Sequence, residues 1–178
     1  MIRIIGGCFR GRTIYTPRTR LTRPGTEKLR KAVFDICQNE IKDANFLDLF
    51  AGSGAFGIEA LSRGATHSTF VDKGKVAIGC IKKNISLLKI EPQTTIFPTT
   101  YEYWYKKNNA FFDIAYASPP YPEIYLYKKL LRDFYDKPYA KNFYIESAKK
   151  LIFPQYNLES KVILRRYGDS YLYTISLM

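Results

Sequence analysis

Hydrophobic positions along this chain fall into short runs that switch between a strand-like and a helix-like period. Residues 46–50 (FLDLF) read as a buried strand interrupted by Asp48, and AGSG follows as a turn. Beyond it, Phe56, Ala60 and Leu61 are spaced for a helix over residues 55–63. The pattern then repeats: a strand over 66–72, a helix over 73–89 through Val76, Ile78, Ile81, Ile85 and Leu88, and a strand over 94–97. Residues 101–105 (YEYWY) read as an amphipathic helix, though they are aromatic enough to stack on bases. A fourth strand over 111–117, a helix over 125–135 and a fifth strand over 143–146 complete the alternation.

The two ends of the chain read differently. Residues 2–7 and 12–15 form a candidate β-hairpin about a Gly-Arg turn, and residues 16–24 form a loop punctuated by Pro17 and Pro24. A helix starts at Thr26, a plausible N-cap, and runs to about Lys42 through Leu29, Ala32, Val33, Ile36 and Cys37. At the other end, strands over 161–166 and 171–177 pair about Gly168-Asp169 as an antiparallel hairpin. The pattern predicts one α/β domain over residues 1–178. Its Rossmann-like sheet is mostly parallel, with a closing antiparallel hairpin, and residues 1–25 form a basic extension of it.

Composition narrows the classes. With 178 residues and 46% hydrophobic content, the chain can bury a real core. No apolar run is long enough to span a bilayer, and the start MIRIIGG has no signal-peptide core, so a cytoplasmic protein is expected. Cys8, Cys37 and Cys80 are odd in number and widely separated, which fits a reducing compartment without disulfides. His67 is the only histidine, so neither a metal site nor Ser–His or Cys–His chemistry is expected. Net charge of +12 points to a polyanionic partner, most simply nucleic acid. Arg3, Arg10, Arg12, Arg18, Arg20 and Arg23 precede the first acidic residue, and arginine suits bidentate phosphate contact. A monomer is the default state.

Gly52-x-Gly54-x-x-Gly57 satisfies the dinucleotide fingerprint, whose glycines permit a tight turn and close ligand approach. Two ligands compete for it. A pyrophosphate wants free N–H groups at a helix start and no anion nearby. Asp48, at the end of the preceding strand, favours instead a cationic ligand such as the α-amino group and sulfonium of S-adenosylmethionine. No Gly-Lys-Ser/Thr follows, which excludes a Walker loop. Asp72 ends the next strand, where an acid can accept both ribose hydroxyls of an adenosine.

The second chemical stretch is Ser118-Pro119-Pro120-Tyr121, at the C-terminal end of the fourth strand, where ligands of open α/β sheets gather. The prolines stiffen the turn, so the Pro119 carbonyl and the Ser118 side chain can act as two acceptors for the hydrogens of an exocyclic amine. Tyr121 would stack on a base withdrawn from its helix. Because a sulfonium is already activated, orientation and electrostatics can suffice without a strong base.

The order of glycine loop, acidic second strand and (Asp/Asn/Ser)-Pro-Pro-aromatic turn resembles the class I methyltransferases that modify exocyclic amines. More narrowly, the chain resembles the RsmD family, which methylates a guanine N2 in 16S ribosomal RNA. The resemblance rests on Arg3-Ile-Ile-Gly-Gly with Gly11-Arg12, Thr22-Arg23-Pro24-Gly25-Thr26 with Arg30 and Phe34, and LDLFAGSGAFGIEALSRGA. Tyr144-Ile-Glu146-Ser147 and Tyr167-Gly168-Asp169-Ser170 extend it to the end of the chain. It implies that Asp48, Phe50, Ala51, Gly52, Ser53, Gly54 and Asp72 hold S-adenosylmethionine. It also implies that Ser118, Pro119 and Tyr121 hold the target base, with 16S RNA or a small-subunit particle as partner. Thr99 and Thr100 stand where an Asp or Asn often contacts the adenine.

Ser118 departs from the family, which usually carries Asp there. A charged acceptor is worth roughly 1.5–3 kcal/mol against about 1 for a neutral one. Serine at this place also resembles the cytosine-N4 methyltransferases of DNA. Cytosine-N4 or adenine-N6 methylation, and a catalytically weak RNA-binding assembly factor of the same fold, therefore stand as alternatives. A small oxidoreductase on the same sheet is disfavoured by Asp48 and by the lack of a proton-relay His or Tyr-x-x-x-Lys.

Overall fold

A computed structural model describes residues 1–17, 26–120, 124–151 and 160–177. Two short strands, β1 (Ile2–Arg3) and β2 (Thr13–Ile14), pair antiparallel as the N-terminal hairpin. Helix α1 (Thr26–Ile36) follows. It stops short of the expected end at Lys42, because the amides of Glu40 and Ile41 both turn back onto the Cys37 carbonyl. Asp43 then takes a positive φ of 61°.

The main body is a seven-stranded sheet in the order β5-β4-β3-β6-β7-β9-β8. Strands β3 (Asn45–Leu49), β4 (His67–Val71), β5 (Thr94–Phe97), β6 (Phe112–Ala117) and β7 (Ala140–Ser147) run parallel. Strands β8 (Ser160–Tyr167) and β9 (Ser170–Leu177) form the closing antiparallel hairpin, with β9 against β7. Helices α2 (Ala55–Ser62), α3 (Lys75–Leu88), α4 (Tyr101–Lys107) and α5 (Ile124–Asp136) supply the crossovers. The α/β sheet with both hairpins is as the sequence predicts.

Chain order reverses between β3 and β6, which makes their C-terminal ends the topological switch point where ligands of such sheets bind. Each face of the sheet carries its own apolar layer. One holds Phe34, Phe46, Phe56 and Phe70 with the faces of α1, α2 and α3; the other holds Leu47, Leu49, Trp104, Phe134 and Phe143. YEYWY belongs to the second layer: Tyr101 and Trp104 are buried in α4, and Tyr103 is exposed. Val76, expected with the apolar face of α3, is instead 65% exposed at the start of that helix. No helix among the described residues is long and apolar enough to cross a membrane.

Candidate active site

The turn between β3 and α2 is built from unusual backbone. Phe50 has φ 59°, Gly52 57° and Gly54 76°, so the chain passes three times through the left-handed region. For Phe50 that conformation is costly and must be held by its surroundings. Its ring lies 6.0 Å from that of Tyr101, the Ala51 amide donates to the Val71 carbonyl, and the Gly54 amide donates to the Ala51 carbonyl. The three glycines of the fingerprint do different work. A side chain at Gly52 would meet nothing closer than the Phe50 carbonyl at 4.0 Å, leaving open space above the turn. A Cβ on Gly57 would come within 2.3 Å of the Phe70 ring and 2.4 Å of Ser68 Oγ, so this glycine lets α2 seat directly on β4.

The two predicted acids differ in setting. Asp72 is half-buried at the end of β4; its Oδ2 accepts from the Gly52 amide at 2.9 Å and its Oδ1 from the Gly74 amide at 2.7 Å. Each oxygen keeps a lone pair, which fits a pair of ribose hydroxyls. Asp48 lies beneath the turn, 1% exposed, and its Oδ2 accepts from the Gly57 amide at 3.0 Å. Burial raises its pKa well above the usual carboxylate range, the Gly57 bond opposes that, and the charge of Asp72 adds to it. Of these three influences only the Gly57 hydrogen bond favours its anion.

Buried Asn84 of α3, which the sequence pattern did not single out, braces the turn. Its Nδ2 donates to the Ser53 carbonyl at 2.9 Å and to the Tyr15 carbonyl at 3.0 Å, while its Oδ1 accepts from the Tyr15 amide at 2.8 Å. A second buried group seats the hairpin. Glu59 of α2 accepts from the amides of Ile5 and Gly6 at 2.9 and 2.7 Å and from Arg63 Nε at 2.8 Å, with Arg30 Nε 3.4 Å away.

Ser118 follows β6 directly, and its amide reaches the Leu49 carbonyl at 3.4 Å, so the serine turn stands beside the glycine turn. Ser118 Oγ donates to Glu146 Oε2 at 3.1 Å. The same carboxylate receives the Tyr116 hydroxyl at 2.7 Å and, on Oε1, the Ser170 hydroxyl at 3.3 Å. Glu146 is 3% exposed. The Pro119 carbonyl accepts from Tyr127 hydroxyl at 3.2 Å and keeps a second lone pair. The sequence reading gave Glu146 no chemical role; the available signal was an acid in the apolar run Phe143-Tyr144-Ile145, the same pattern that drew attention to Asp48.

Thr100 caps α4, its Oγ1 accepting from the Tyr103 amide at 3.3 Å. Arg3, Arg10 and Arg12 are exposed on the hairpin, and among the described residues none has an acidic partner within ion-pair reach. Arg18, Arg20, Arg23 and Tyr121 lie outside the described residues.

The strand order and the turns at its switch point define a Rossmann-like sheet of the class I methyltransferase kind. The chain matches the family described as "Conserved hypothetical protein 95" over residues 2–172, and it belongs to that family, the RsmD family. It is 36% identical to "Ribosomal RNA small subunit methyltransferase D" of Buchnera aphidicola, covering 98% of this chain and 94% of the relative. The protein of the same description from Escherichia coli K12 is 35% identical over 67% of this chain and 60% of its own length. Among solved structures, yhhF from Escherichia coli superposes with a TM-score of 0.88 at 27% identity, covering 99% of this chain and 97% of that one.

Proposed function

We propose that this protein methylates ribosomal RNA of the small subunit with S-adenosylmethionine, and that its target is the exocyclic N2 amine of a guanine in 16S RNA. The observation that carries this reading is the adjacency of two turns across β3 and β6. The Gly52 turn offers open space flanked by Asp72, and Ser118 and Pro119 present oxygens next to it. Asp48, the Phe50-to-Gly54 turn and Asp72 would hold the cofactor, which supplies a methyl group already activated on a sulfonium.

The rest of the chemistry belongs to the chain. Ser118 Oγ, its proton committed to Glu146, and the Pro119 carbonyl, with one lone pair unused, accept the two hydrogens of the target amine. That grip turns the nitrogen lone pair out of conjugation with the ring and fixes its direction, and the surplus amine proton leaves afterwards to water. Tyr121 stacks on the base, and Arg3, Arg10, Arg12, Arg18, Arg20 and Arg23 bind RNA phosphates.

The test is incorporation of label from S-adenosylmethionine into small-subunit RNA and particles from cells lacking this protein, with nucleosides resolved by mass spectrometry. Label in N2-methylguanosine is the expected result. Label in another nucleoside overturns the base, and none, with cofactor bound, supports the silent assembly factor. Ser118, neutral where the family usually has Asp, favours cytosine N4 or adenine N6 as the second reading.

A further inference from the structure

We infer that Glu146 is a positioning residue for the amine-gripping turn, and that it returns to the site the negative charge that Ser118 lacks. This rests on the proposed reading of Ser118 as an acceptor and names how that acceptor is made. A lone serine hydroxyl is ambiguous, since it can offer either its proton or its lone pairs to a base. A base amine needs the lone pairs. A serine that turned its proton toward the base would meet the amine hydrogens with a hydrogen of its own.

The geometry removes the ambiguity. Glu146 Oε2 lies 3.1 Å from Ser118 Oγ, and a carboxylate only accepts, so the Ser118 proton points into the protein. The oxygen keeps acceptor capacity for the amine. A hydroxyl that donates to an anion is also polarised, which makes its oxygen a better acceptor. As positive charge gathers on the amine nitrogen, Glu146 lies one hydroxyl away from it, in a buried setting where charges act strongly.

The carboxylate is itself held from both sides. Tyr116 of β6 donates to Oε2 at 2.7 Å, and Ser170, at the tip of the β8–β9 hairpin, donates to Oε1 at 3.3 Å. Tyr116 is in turn clamped face to face on Phe56 of α2, with ring centroids 3.6 Å apart. The closing hairpin thereby reaches the reaction centre through one side chain.

The test uses the full chain in four forms: wild type, Glu146→Gln, Ser118→Asp and the double variant. Glu146→Gln keeps the shape and removes the charge, and its kcat should fall about tenfold or more, with cofactor affinity and melting temperature close to wild type. Ser118→Asp alone sets two carboxylates against each other and should also be slow. In the double variant, Asp at 118 carries the charge and the Gln amide can donate to it, so kcat should recover to within about threefold of wild type.

A purely structural Glu146 would not give that rescue. Glu146→Gln at wild-type kcat would overturn the inference, as would a double variant no faster than Glu146→Gln. Loss of cofactor binding or a fall in melting temperature matching the activity loss would overturn it too. Absence of transfer by the wild-type protein on any nucleoside would instead defeat the reading beneath it, so the two failures are distinct.

Discussion

Asn84 donates to the carbonyl of Ser53 across 2.9 Å, so a helix that follows the second parallel strand holds the turn that follows the first. The same amide group secures Tyr15 of the hairpin through both backbone groups. Asn84→Ala removes the partner of the buried Ser53 carbonyl and of the part-buried Tyr15 amide, while the Tyr15 carbonyl keeps Cys80 Sγ at 3.2 Å; unpaired groups cost about 1–3 kcal/mol each before relaxation or water entry. Urea denaturation should show a loss of about 2–4 kcal/mol, and calorimetry should show weaker binding of S-adenosylhomocysteine.

Asp72 joins the two sides of the proposed adenosine site through Gly52 and Gly74. Asp72→Ala should weaken cofactor binding about 10- to 100-fold, as expected for losing charged hydrogen bonds. Binding of RNA in the absence of cofactor should be unchanged, measured by filter retention.

Asp48 makes stability depend on pH in an unusual direction for an acid. Burial raises its folded-state pKa, so the folded chain holds this proton more tightly than the unfolded chain. That contribution is complete below the ordinary carboxylate pKa and is lost as pH rises towards and through the raised one. Asp48→Asn should therefore stabilise the chain relative to wild type more at pH 8 than at pH 4.5. Paired urea titrations at the two values check the sign, and cofactor affinity should fall in the same variant.

Arg3, Arg10 and Arg12 carry the part of the proposed RNA surface that the structure describes. Changing all three to Gln should lower RNA affinity and reduce the dependence of log K on log salt by about 2–3, given about 0.7–0.9 per phosphate contact. Cofactor affinity should not move. An unaltered salt slope would remove the hairpin from the RNA surface.

How far the sequence revealed this protein depended on how local each feature is. The glycine turn, Asp72 and the Ser118 turn were readable because each is a short string at a strand end. The sheet followed from alternating periods. Glu146 acquired its role only through the pairing of β7 with β6 and β9, contacts made across 28 and 24 residues, which no local pattern carries. Asn84 was hidden for the same reason, and its partners lie 31 and 69 residues away. Val76 sat at the helical spacing of a core residue, but in the first turn of α3 it is 65% exposed. The overlong reading of α1 came from Cys37, whose apolar side chain continues the helical pattern while its carbonyl already closes a turn.

Glu59 and Asn84 give the N-terminal hairpin a property that a basic tail would lack. Each buried side chain grips one end of the hairpin, and they come from separate helices on the sheet that carries the glycine and serine turns. The backbone that carries the hairpin's arginines is therefore held to the same sheet as Ser118, and on the proposed reading it needs little ordering when RNA arrives. On that reading the hairpin would act as a gauge. An RNA whose backbone and extruded base match that span engages both at once, and one that does not must deform or forgo a contact. Part of the choice of nucleotide would then be made by distance, before any base edge is read.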